Sequence, residues 1–169
     1  MHRRWRRLGA VVAVFVGSGC ATATQLDKGV FRAPAMFRVT VPGGDWEVAN
    51  ASGGDLALRH RAGRAGILAN AECGGGQTRS GLDVLARRLF VGLRGRAVVE
   101  NGTAVVGGLP AQHAVMEAQV TGDDERMRIE AFVLKDERCV YDLVYVAPAG
   151  AFAASRADFQ RLVESFTRD

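Results

Sequence analysis

Few side chains in this sequence are of a type that does chemistry, and their spacing decides most of what can be said. There are three cysteines, Cys20, Cys73 and Cys139, and three histidines. No CxxC, HxxH or HExxH spacing occurs, so no metal set is predicted. A CxxCH haem attachment is missing, and no GxSxG elbow presents a serine nucleophile. The sequence therefore points to no catalytic residue, no metal and no cofactor. What remains is a polar group on one strand segment. His113 and Glu117 share a face there, with Arg128 on the next segment. Tyr141 and Tyr145 fall on the same face further on. Such a group is ordinarily a solvated cross-strand cluster. Its functional alternative is a ligand face, with His113, Glu117 and Arg128 as polar contacts and Tyr141, Tyr145 and Phe132 as the floor of a shallow groove. The tyrosines would equally suit packing beneath a helix.

Two further features carry alternative readings. Asp142 sits in an otherwise apolar row, where an unpartnered carboxylate is costly. It is either a poised acid or an acid satisfied by an arginine or a backbone amide. The run Gly74-Gly75-Gly76-Gln77-Thr78-Arg79 lies between a strand pattern and a helix pattern. Amides at a helix start can hold an anion, but the lysine of a phosphate loop is missing, and a plain loop reads as well.

The N-terminus is the most informative stretch. Residues 1–7 hold four arginines and no acid, residues 8–16 are apolar, and Gly17-Ser18-Gly19-Cys20 follows. This is the charged, apolar and small-residue order of an export signal, and the apolar run is too short to span a bilayer as a helix. Small residues running into a cysteine resemble the lipobox of bacterial lipoproteins, with Gly17 where that motif usually has Leu. The resemblance implies cleavage before Cys20, acylation of Cys20, and firm anchoring by several acyl chains. Ala21 rather than Asp after the cysteine points, by the sorting rule of such lipoproteins, to the outer membrane, facing the periplasm.

Removing residues 1–19 takes four of the 22 basic side chains and none of the 18 acids, leaving a balanced chain. The isoelectric point near 9.4 thus belongs largely to the precursor, and no clustered basic face argues for nucleic acid. Export also bears on Cys73 and Cys139, the two cysteines left besides Cys20. In an oxidising compartment they are expected to pair; two separately buried thiols are the alternative.

The elements that must position these groups follow from periodicity. Residues 20–34 read as a lipidated tether and 35–169 as one domain. Strand patterns cover 36–41, 45–48, 55–59 and 65–73. A helix opens at Ser80 with Asp83 as a capping box, and carries Leu82, Leu85, Leu89 and Leu93 at helical spacing. Short strands follow at 96–100 and 103–106, then three long ones at 111–121, 125–134 and 139–147. On paper these three form a meander. A Gly122-Asp123 turn sets Glu117 opposite Arg128, and the turn over 135–138 sets Val133 opposite Val140. One face (Ala114, Met116, Ile129, Ala131, Val133, Val140, Val144) reads as the core, and the other is half apolar. A last helix is expected from Ser155, with Phe159, Leu162, Val163 and Phe166 as its stripe. One helix for each face gives an α+β fold: a central, mostly antiparallel sheet in α-β-α layers.

The order of elements, with Phe37-Arg38-Val39-Thr40-Val41-Pro42, Gly107-Gly108-Leu109-Pro110-Ala111, Tyr141-Asp142-Leu143-Val144-Tyr145 and a closing Glu164-Ser165-Phe166, resembles the PsbP-like fold. That fold is shared by the PsbP subunit of photosystem II, the Mog-type nuclear import factor and small bacterial lipoproteins. The resemblance brings no invariant catalytic residue. It implies an accessory or binding protein, here one of the cell envelope with an envelope protein as partner. A small-ligand carrier or enzyme using the His113, Glu117, Arg128 and Tyr145 face is the alternative.

Overall fold

A computed structural model describes residues 26–33, 36–49, 55–119 and 125–169. The export signal, Cys20 and the turn expected at 122–123 lie outside the described residues. A seven-stranded antiparallel sheet forms the centre. It is built from β4 (Trp46–Val48), β5 (Leu56–His60), β6 (Gly66–Cys73), β7 (Arg94–Val106), β8 (Leu109–Gln119), β9 (Arg126–Lys135) and β10 (Cys139–Pro148). Their spatial order is β4-β5-β6-β10-β9-β8-β7. A four-stranded sheet joins β1 (Leu26–Asp27), β2 (Val30–Ala33), β3 (Phe37–Thr40) and β11 (Thr167–Arg168). Helix α1 (Leu82–Leu89) covers one face of the large sheet over β8 and β9. Helix α2 (Phe152–Glu164) covers the other face over β10 and also packs on β3. The α-β-α arrangement expected from the two amphipathic stripes is thus present, with the small sheet beside α2.

The two faces exchange the roles expected of them. The one with Val115, Tyr141, Leu143 and Tyr145 carries the main core, together with Phe31, Phe37, Phe152, Phe159 and Phe166. The other holds two smaller clusters under α1, one around Val133 and Val140, the other around Ala114, Ile129 and Ala131. Side-chain volume explains this: α2 and the small sheet bring phenylalanines to the tyrosine face, whereas α1 brings Leu85 and Ala86.

Residues 26–33, expected in the tether, instead belong to the domain. Their hairpin turns on Lys28 and Gly29, both with positive φ (48° and 80°), as the tightest hairpins require. Phe31 and Ala33 are then buried in the main core.

Registers confirm the first hairpin of the meander and correct the second. Glu117 pairs with Arg128 and Met116 with Ile129, as expected. Across the next turn Val140 pairs with Lys135 and Asp142 with Val133, a slip of two residues from the paper register. The cause is Asp136. Its carboxylate accepts the amides of Arg138 and Cys139, both at 2.8 Å, and its own amide donates to the Cys139 carbonyl at 3.0 Å, so the turn tightens from 135–138 to residues 137–138 and Lys135 joins the ladder. An even slip keeps every side chain on its face.

The helix starts also move. Gly81, not Ser80, caps α1, and α2 begins at Phe152 with Ser155 buried inside it. Phe152 packs on Tyr145 with ring centres 5.0 Å apart, and this contact recruits an extra turn that no capping signal announced. The short strands 96–100 and 103–106 are one strand, β7, carrying two register shifts at its start.

Candidate functional site

The polar side chains converge on Glu130, in the middle of β9. Its neighbours along the strand are apolar from Ile129 to Leu134, and its side chain is only 1% exposed. His113, one strand away on β8, places Nε2 2.9 Å from Glu130 Oε1. Arg156 descends from α2 and donates from Nε to Oε2 at 2.8 Å and from Nη2 to Oε1 at 3.0 Å. The same Nη2 reaches Glu100 on β7 at 3.3 Å. One guanidinium therefore ties the helix to a central and an edge strand. The fork geometry suits a buried carboxylate, because two parallel charge-assisted bonds replace the lost water. The hydrogen bond to Glu130 raises the affinity of Arg156 for its proton, against an opposing effect of burial. His113 stacks on Phe132 with ring centres 4.4 Å apart.

Of the residues singled out from sequence, His113 alone enters this cluster. Glu117 and Arg128 pair separately at 2.6 Å, and that hydrogen bond holds the Glu117 carboxyl below the usual range. Arg128 and Arg156 both lie over the Phe152 ring, at 5.3 and 5.6 Å. Tyr141 and Tyr145 do not floor a groove: both are fully buried beneath α2 and the small sheet. The Tyr145 hydroxyl donates to the Phe152 carbonyl at 2.9 Å, and burial pushes its phenol up. The Tyr141 hydroxyl donates to Asp136 at 2.8 Å. Burial and then that hydrogen bond push it up to about 12.

Asp142 faces the opposite side of the sheet, beside Asn70 on β6. Burial, and then the Glu72 carboxylate, push its carboxyl up to about 6, and no guanidinium among the described residues offsets them. The glycine loop also departs from the anion reading. The carbonyls of Thr78 and Ser80 accept from Lys135 Nζ at 2.8 and 2.7 Å, so the loop offers oxygens to a cation of its own chain. Among the described residues no group of His, Cys, Asp and Glu is placed to hold a metal ion. Cys73 and Cys139 form a disulfide. They are directly paired across β6 and β10, with Cα atoms 4.1 Å apart.

Glu130, Arg156 and Glu100 were not singled out from sequence. A signal for the first was present: a lone acid in the middle of a central apolar strand needs a cation, as was argued for Asp142. Chemically the cluster is spent on itself, since both Glu130 oxygens are taken by Arg156 and His113. Beside it lies an open cleft of about 500 Å³ between α2 and β7. It is lined by Ala104, Val106, Phe132, Gln160, Val163 and Glu164 among others.

No protein-family model and no curated protein matches the sequence. Solved structures do match in fold. LpqN of Mycobacterium tuberculosis, described as involved in cell envelope biogenesis, superposes with a TM-score of 0.61 at 16% identity, covering 80% of this chain and 85% of LpqN. The cyanobacterial PsbP of Synechocystis gives 0.60 at 11% identity over 91% and 99% of the two chains. A protein of Bacteroides thetaiotaomicron gives 0.61 at 11% identity; the match covers 86% of this chain but about half (49%) of that one. The fold is therefore PsbP-like and α+β.

Proposed function

We propose that this protein is a lipid-anchored accessory or binding protein of the cell envelope, non-enzymatic, acylated at Cys20 and facing the periplasm from the outer membrane. The observation that carries the reading is the Cys73–Cys139 disulfide. Such bonds persist outside the reducing cytosol, in agreement with the export pattern that ends at Cys20. The fold likeness to LpqN supports an envelope setting. Among the described residues no helix is long and apolar enough to cross a membrane, so in this reading the acyl chains on Cys20 supply the attachment. The binding role rests on the open cleft between α2 and β7, beside a polar cluster that holds helix to sheet.

The anchor is tested by Cys20→Ser. The unaltered chain is expected in the membrane fraction with a lipid mass on its N-terminal peptide, and the variant in the soluble fraction without it. A mature N-terminus at another residue, carrying no lipid, would exclude the reading. Capture of the acylated protein from native membranes then names the envelope partner.

A further inference from the structure

Among the described residues no strand pairs with the outer side of β7, an edge of the large sheet, and the cleft described above lies along it. Residues 94–103 of β7 are all exposed. Natural proteins blunt such edges with bulges, charges or prolines, because unpaired backbone groups invite another strand. Here every such device lies in the first half. The two register shifts fall between Arg94 and Glu100, and Gly95, Arg94 and Arg96 stand there too. From Glu100 to Val106 the ladder to β8 is regular, running Glu100↔Val115 to Val106↔Leu109 without a shift. Glu100 apart, that half carries no charge, no proline and no bulge, and Val105 on it is 76% exposed.

The side chains beside this half have a definite chemistry. On the α2 side, Gly102 and Ala104 are small and leave Phe132 at the base of the cleft, with Val106 and Val163 as apolar walls. Its accessible charge is acidic: Glu100, 47% exposed, shares the Arg156 guanidinium with buried Glu130, and Glu164 lines the cleft at the end of α2. A helix alongside a free, regular edge strand, with an apolar cleft between them, is the arrangement in which extended peptides bind by adding a strand.

We propose that β7 accepts an extended peptide segment of a partner protein along residues 100–106, and that its chemistry can be read from the strand. Residues on alternate positions of an added strand share a face. A basic side chain opposite Glu100 and an apolar one opposite Ala104, four positions apart, then lie on the α2 side; the apolar one fills the cleft over Phe132. The residue next to it faces Val105 on the other side and is β-branched. Backbone pairing supplies the affinity, and the acidic, apolar cleft supplies the selection. The inference deepens the binding reading above but is independent of acylation at Cys20. Failure of peptide binding would leave the anchor standing, and a soluble chain would leave the strand addition standing.

The test uses the full chain in mild detergent and two fluorescein-labelled heptapeptides, Lys-Thr-Ser-Thr-Ile-Val-Ser and its reverse, covering both strand directions. Saturable anisotropy changes are expected for one of them below about 1 mM, and replacing its Lys by Asp should weaken it about tenfold. Glu100→Lys, on the exposed strand, should weaken the Lys peptide several-fold and favour the Asp peptide; Ala104→Phe, filling the cleft, should abolish both. Amide exchange should slow in residues 100–106 and not on β4, the other edge. The proposal is overturned if neither peptide saturates, if both variants bind as the parent does, or if protection falls on β4. Protection of residues 100–106 in the free chain through self-association would overturn it in favour of a second copy as the occupant.

Discussion

Glu130 and Asp142 are acids in central strands on opposite faces of one sheet, and their environments set opposite expectations. Glu130 is buried and fully paired. Removing one partner of a buried pair strands the other charge, which costs about 3–5 kcal/mol. Arg156→Ala is therefore expected to destabilise by about that much in urea unfolding, and His113→Ala by less, about 1–3 kcal/mol for one hydrogen bond to a charged group. Equal losses for the two variants would contradict the role given to the guanidinium. Asp142 is strained by its own charge. Its carboxyl is raised from 3.8 to about 6 in the folded chain, so folding favours the neutral form. Well below pH 4 the group is neutral folded and unfolded and costs nothing; the penalty builds between about pH 4 and 6, where the unfolded chain ionises it while the folded chain holds its proton, and is level above. That penalty is about 3 kcal/mol at neutral pH. Asp142→Asn should raise stability at pH 7.5 and leave it nearly unchanged at pH 4. A variant that gains nothing at pH 7.5 would show that water or a cation already relieves the charge.

At the scale of elements, the β7–β8 hairpin is held by two features of one glycine. Gly107 has φ of +56° and Gly108 of +77°, the left-handed values that a two-residue turn between antiparallel strands demands. A Cβ on Gly107 would also lie 2.7 Å from a Phe166 ring carbon and 2.8 Å from the Phe166 carbonyl oxygen. Phe166 stacks on Phe37 and meets Tyr141 edge-on, so it cannot give way without disturbing the main core. Gly107→Ala is expected to cost about 1–3 kcal/mol, and Gly108→Ala less, because open space surrounds Gly108. Thermal unfolding of the two variants side by side separates backbone strain, common to both, from the clash that only Gly107 meets.

For the whole molecule, the disulfide is the long-range tie. It joins neighbours in the sheet that stand 66 residues apart in sequence, enclosing α1, β7, β8 and β9. Closing so long a loop removes unfolded-state entropy amounting to about 4 kcal/mol in the chain-entropy model, often less in practice. Replacing both cysteines by alanine should lower the unfolding free energy by about 2–4 kcal/mol and leave the fold unchanged by circular dichroism. Full thiol labelling of both cysteines in protein prepared without reductant, under denaturing and non-reducing conditions, would refute the bridge.

The sequence by itself determined the α+β class, the three long strands β8, β9 and β10, both helices, the face on which each of their residues lies, and the Glu117–Arg128 pair, because alternation and helical spacing are local and an even slip of register leaves them intact. It also held the argument for the Cys73–Cys139 pair, which needed only compartment and count. Tertiary structure alone decided which face is the larger core, since that depends on the phenylalanines that α2 and residues 26–33 bring to it. It decided the site as well. Of the residues picked out, His113 reached the buried carboxylate, while Glu130, Arg156 and Glu100 meet from β9, α2 and β7. No local pattern records a contact between residues 26 and 56 positions apart; a lone acid in an apolar strand states that a cation is needed, and only the packing of the helix says which one arrives.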